Sequence, residues 1–360
     1  MDHLSAKAAY EFKTPYTFWQ ETEGIPTYDG YWLEDVRTAK LGEWKRMGGR
    51  GAFVNLNGAG MNCDAYICEI PPQKELKPER HLYEEIILIL SGQGATVIWN
   101  EGGAKHTLEW QEGSLFSPPL NAWHQHFNVD SAKPARFIAL TSAPQTINQY
   151  RNLDFIFNNP FVFSDRFRGE AGELSKPGQY IHKGVKPGRV WETNFVSSVM
   201  EFQPVEHSAR GAGTRNSLFE FAGNTMSAHL SAFPPGKYKK AHRHGPGAHI
   251  VILTGNGYSL MWPQGNEPQR IDWRPGSLVV PPLDWYHQHF CPGPEPARFI
   301  ALKPWGFKYL VDDLAKSDRD ENEGGTQIEY ENQDPKIHRM FVEECKRRGA
   351  AAQMPMFAAA

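Results

Sequence analysis

The chain repeats itself. His124 and His287, Gly113 and Gly276, Trp110 and Trp273, Gly94 and Gly257, and His81 and His244 each stand 163 positions apart (287 less 124). Pro134-Ala135-Arg136-Phe137-Ile138-Ala139-Leu140 returns as Pro296 to Leu302. A period this long is a domain rather than one coil of a solenoid, so the duplication requires two similar folded units in tandem. Within the copies, short β-branched and aromatic runs such as Ala65 to Ile70, Ile86 to Leu90, Ala95 to Trp99 and Arg136 to Leu140 are broken by Gly, Pro and Asn. Strands so spaced predict an all-β sandwich or small barrel in each copy. We expect an N-terminal arm with a short helix over 1–50, a first β-domain over 51–150, a Gly- and Pro-rich linker over 151–205, a second β-domain over 206–308 and a tail over 309–360.

A chain of 360 residues that is 40% hydrophobic has ample material for two cores. Its 38 basic and 41 acidic side chains nearly cancel, which argues against nucleic acid or a membrane surface as a bulk electrostatic partner. The N-terminus has no apolar signal core, and no stretch approaches the roughly 18 apolar residues of a spanning helix, so a cytoplasmic location is expected. Cys63, Cys68, Cys291 and Cys345 are too few and scattered for a disulfide framework and read as buried thiols.

The chemistry concentrates in Lys239-Lys240-Ala241-His242-Arg243-His244-Gly245-Pro246-Gly247-Ala248-His249 and in Trp285-Tyr286-His287-Gln288-His289. His242 and His244 alternate onto one face of a strand, and His287 arrives from a neighbouring strand. Three convergent imidazoles inside a barrel make a metal site suited to Fe, Ni, Cu or Zn. In the first copy the matching positions read Glu79, His81, Glu85 and His124. These could ligate Mn, Fe or Zn as a second site, or Glu79 could pair with Arg80 or Arg136 in a vestigial barrel. Lone histidines in strands are more often hydrogen-bonded core residues, which is how His126 and His289 read first, with a role beside the metal as the alternative.

These segments resemble the two motifs of the cupin superfamily. Gly236, His242-x-His244, Leu253-Thr254-Gly255, Gly276, Pro282 and His287 carry one pair, and Glu79-x-His81-x-x-x-Glu85, Gly92, Gly113, Pro119 and His124 carry the other. The resemblance implies a bicupin, two tandem jelly-roll-like barrels. It also implies that the usual cupin glutamate is replaced by Ala248, leaving His242, His244 and His287 as a facial three-histidine set. His-Arg-His-Gly-Pro-Gly-Ala is further similar to ring-cleaving cupin dioxygenases acting on gentisate, salicylate and 1-hydroxy-2-naphthoate. That likeness implies Fe(II), with Mn, Ni or Zn as alternatives, O2, and a hydroxylated or amino-substituted aromatic carboxylate as substrate. Those enzymes usually keep their iron in the N-terminal cupin, whereas the intact triad here is C-terminal.

For acid–base and carboxylate-binding help the candidates are His289, Tyr286, Arg210 and Arg215. Arg243 reads as a surface ion pair, Lys239 and Lys240 as a solvated strand edge, and His106 as exposed. His249 is a ligand only if its strand bulges. Trp262, Trp285 and Tyr286 could line a pocket for a flat substrate, with core packing as the default. In the tail, Asp334-Pro335 to Arg347 predicts a helix burying Ile337, Phe341 and Cys345, and Gln327 to Tyr330 a short strand joining its own or a neighbouring subunit's sheet. The tail also holds the acidic runs Asp312-Asp313 and Asp318 to Glu323. The expected function is a metal-dependent oxygenase. Its alternatives are a redox-neutral isomerase, lyase or decarboxylase and a ligand-binding bicupin, acting on a small molecule as a homo-oligomer.

Overall fold

The computed structural model describes residues 13–182, 188–245, 247–306 and 318–354; Asp312 and Asp313 of the acidic tail lie outside these. The architecture is all-β with a few helices. In the first half, a sheet in the order Thr27–Tyr28, Gly49–Val54, Asp64–Ile70, Ala135–Thr141, Glu85–Ser91, Leu115–Phe116 and Phe195–Val196 faces the strands Trp123–Asn128, Gln93–Trp99 and His106–Gln111. The second half repeats this. Arg215–Phe221, Ser227–Phe233, Ala297–Lys303, His249–Thr254 and Leu278–Val279 lie opposite Gln269–Trp273, Gly257–Trp262, Tyr286–Cys291 and Ala241–His242.

The repeated glycines and tryptophans have one cause. A Cβ on Gly94 would stand 2.0 Å from Phe127 O and against Trp110, and one on Gly257 would stand 2.1 Å from Phe290 O and against Trp273. Each indole therefore lies across its glycine and donates to a hydroxyl, Trp110 to Thr96 at 2.9 Å and Trp273 to Ser259 at 3.0 Å.

The two barrels exchange strands. Trp32–Leu33, from the N-terminal arm, pairs with Leu278–Val279 of the second barrel, and the repeat-related Phe195–Val196 pairs with Leu115–Phe116 of the first. Arg136 then donates to the carbonyls of Val36, Arg37 and Ala39, and Arg298 to those of Val199, Met200 and Phe202. A buried core runs through both halves, from Ile67 and Leu140 to Leu230 and Leu302. The Glu84 carboxylate crosses the junction to accept from Thr225 N and Met226 N.

The tail helix is Pro335–Arg347, capped by Asp334 accepting from Lys336 N. It buries Ile337, Phe341 and Cys345, with the Phe341 ring 4.8 Å from Tyr238. Gln327–Ile328 joins Ala241–His242 of its own chain, closing the sheet edge beside the metal-type histidines. All four cysteines are buried and free, as their spacing suggests. No helix among the described residues is long and apolar enough to cross a membrane.

Candidate metal centre and cavity

His242 faces His287 across an antiparallel pair, and His244 follows two residues on. Ring centroids lie 4.3 Å apart for His242 and His287, 4.7 Å for His244 and His287, and 5.7 Å for His242 and His244. Each Nδ1 is spoken for by a backbone carbonyl: His242 by Lys240 O at 3.0 Å, His244 by Gly245 O at 3.0 Å and His287 by Trp285 O at 3.2 Å. Carbonyls only accept, so the ring protons sit on Nδ1 and the three Nε2 lone pairs are left for an ion. Their ligand atoms fall within 4.8 Å of one another. Burial, together with nearby cations, holds all three imidazoles well below the usual histidine range, His287 at about 3, so they are neutral. The donor set fits a divalent transition metal.

This cluster opens into a cavity of about 70 Å3 lined by Arg189, Arg210, Lys239, Lys303, His229, His289, Ser231, Phe299 and Asp318, among others. His289 reaches it through a relay: Trp273 donates to Ser259, whose own proton goes to His289 Nδ1 at 2.7 Å. That leaves Nε2–H as the free end of a neutral ring, a hydrogen-bond donor rather than an acid. Arg210 bonds Asp318 at 3.2 Å and Gln327 at 3.0 Å, and burial pushes its guanidinium down to about 10.

Other candidates lie elsewhere. Arg215 is exposed and does not line the cavity, because its strand turns that side chain outward. Tyr286 precedes a ligand on its strand and so points to the opposite face. There it donates to Glu321, lies under Arg243 at 5.0 Å and stacks on Trp262. Trp285 stacks on Tyr31 at 5.7 Å, so none of the three aromatic residues considered for a flat substrate borders the triad's cavity. Arg243 pairs with Asp284 at 3.2 Å, as its outward register implies. His249 bonds Gly247 O on the far side of its strand from Ala248 and stays out of the cluster. His106 is only partly exposed and meets Gly169 O at 2.9 Å.

Lys239 overturns the surface reading of its segment. It is buried, bonds Ser231 Oγ and lies 4.5 Å from the Phe299 ring centroid. Burial, then Arg210, Arg189 and Lys303, push its ammonium down to about 7. Lys240 is also drawn in, onto Glu329. The signal for Lys239 was in the repeat. Its N–H bonds His289 O just as Leu76 N–H bonds His126 O, so a lysine stands where the first barrel has a core leucine.

In the first barrel, His81 Nε2 lies 3.8 Å and His124 Nε2 3.3 Å from Glu85 Oε1, with no hydrogen-bond partner for any of these buried atoms. Their Nδ1 atoms are held by Tyr83 O at 2.7 Å and Ala122 O at 3.1 Å. Burial would raise Glu85, but the imidazoles of His124 and His81 hold it well below the carboxylate range. These three orphaned atoms also fit an ion, and Glu79 joins them, its Oε1 3.9 Å from His124 Nε2 and its ligand atom within 4.8 Å of those of His81 and His124. Glu79 is engaged differently from either expected pairing: Arg46, from the N-terminal arm, binds it at 2.5 Å, while Arg80 pairs with Glu101 and Arg136 with Glu69.

Residues 66–141 match the family described as a cupin domain. A search of curated proteins by sequence gives no match. Solved structures of oxalate decarboxylase from Bacillus subtilis share the fold. One, studied for its Mn(II) centres, is 16% identical over 76% of this chain and 77% of its own, with TM-score 0.50. Another, a variant with phenylalanine in place of one tryptophan, is 15% identical over 82% of each chain, with TM-score 0.51.

Proposed function

We propose, from the premise that this chain is a bicupin carrying a cupin domain at 66–141, that it is a metal-dependent decarboxylase of a small carboxylate, working in the second barrel. The observation that carries this is the cavity itself. Its lining brings two guanidiniums and two ammoniums to the three-histidine cluster, and Phe299 is its one carbocyclic ring among the described residues. At about 70 Å3 it is less than half the roughly 150 Å3 that accepts a benzene ring. That favours a small anion over the aromatic acid.

His242, His244 and His287 would hold the ion, with Mn(II) the first to test because the fold neighbours include Mn(II) enzymes. A bound divalent ion would supply positive charge beside the carboxylate and open coordination positions. The chain's own part is electrostatic. Arg210 steers and orients the carboxylate, the burial of the site excludes bulk water, and His289 Nε2–H donates a hydrogen bond to an oxygen as charge redistributes. The bond to the departing carboxyl carbon breaks, its electron pair stays with the neighbouring carbon, CO2 leaves and a proton drawn from solvent takes its place.

A second reading, an Fe(II) dioxygenase, is favoured by one observation. Ala248 leaves the triad without a carboxylate, the pattern of the ring-cleaving cupins. The two separate in one experiment: Mn(II)- and Fe(II)-loaded protein with a panel of small dicarboxylates, oxoacids and aromatic acids, measured for CO2 release and O2 uptake. Release of CO2 without stoichiometric O2 uptake supports decarboxylation. O2 consumption with an aromatic acid and no CO2 from small acids overturns it.

A further inference from the structure

The repeat-related interiors have opposite chemistry. Where the first barrel places Leu76, Cys68, Tyr66, Glu85 and Thr141, the second places Lys239, Ser231, His229, Ala248 and Lys303. In the first, Tyr66 donates to Glu85 at 2.8 Å and Leu76 packs in an apolar core. In the second, the carboxylate is gone and ammonium groups border the space.

Lys239 is the informative member. Its Nζ is buried on a neutral partner, the Ser231 hydroxyl. Nearby, the buried Nδ1 of His229 has no hydrogen-bond partner among the described residues. Asp318 is the one carboxylate among the described lining residues, and it is engaged with Arg210. A buried ammonium without a counter-charge is costly, and an entering carboxylate would relieve that cost through a charge-assisted bond.

We infer that Lys239, with Ser231 and Arg210, forms a carboxylate-binding subsite in the second barrel that captures its ligand whether or not a metal is present. It deepens the decarboxylase reading by naming the residues that grip the substrate, and it rests on that reading only for the ligand's later fate. A dicarboxylate would be held at one end here while its other end reaches the histidines.

The test is calorimetric titration of chelator-stripped protein with malonate, and with acetate and chloride as controls. Malonate is expected to bind saturably at one per chain, ahead of acetate, with chloride giving no saturable heat. K239L, which copies the first barrel's residue and so is expected to melt no lower than wild type, should bind malonate about ten- to a hundredfold more weakly, the loss of one hydrogen bond to a charged group. R210Q, as an independent second variant, should weaken binding in the same direction. No saturable binding to metal-free wild type, or wild-type affinity in folded K239L, overturns the subsite. Binding without CO2 release from loaded protein leaves the subsite standing and counts against the decarboxylase alone.

Discussion

Ala248 and Lys239 set the second barrel's interior apart from the first's, one by removing a carboxylate and the other by adding an ammonium. Restoring the first barrel's residue, A248E, should bring a fourth donor to the three imidazoles and slow metal loss to a chelator. Release as fast as from wild type would mean that position 248 does not face the ion. The Trp273–Ser259–His289 relay is equally specific. S259A strands two buried ring nitrogens and should lower stability by about 1–3 kcal/mol in denaturant unfolding. At this scale the triad was legible because His-x-His and the distant His287 follow strand alternation. Lys239 was hidden because a lysine beside Lys240 and Arg243 has the composition of a solvated edge, and its depth emerges only when Leu76 is set against it. Arg189 and Arg46 could not be read at all. Each comes from a segment far along the chain, and only tertiary packing aims it at a barrel.

The tail helix shows what an element contributes. Phe341 is fully buried against Tyr238 and Phe290, so F341A should cost about 3–5 kcal/mol. The same helix carries an acid-sensitive contact. Arg347 first, then Arg348 and Arg270, hold Glu344 down at about 2. A depressed carboxylate stabilises the fold above its unfolded value, near 4.3. Its contribution should therefore fade as pH drops from about 4.5 toward 2, and E344Q should flatten that part of the stability profile. An unchanged slope in E344Q would assign the acid sensitivity elsewhere. The helix itself was legible from Asp334-Pro335 and the spacing of Ile337, Phe341 and Cys345. The exchanged strands were not, since pairs such as Trp32–Leu33 are too short to show a period.

Across the whole molecule, the duplication made the doubled barrel legible and left the way the barrels join unseen. Strand exchange and a continuous core tie them together, so unfolding should be a single cooperative transition. R298A, which strands the carbonyls of Val199, Met200 and Phe202, should lower the midpoint of that whole transition. Two resolved transitions in wild type would show that the barrels are energetically separate. The proposed function assigns turnover to the histidine triad rather than to the Glu85 centre of the first barrel. Its most direct test is CO2 release by Mn(II)-loaded H287A and E85Q, measured side by side on the best small carboxylate. H287A is expected to be inactive while E85Q still turns over; an active H287A with an inactive, folded E85Q would overturn that assignment.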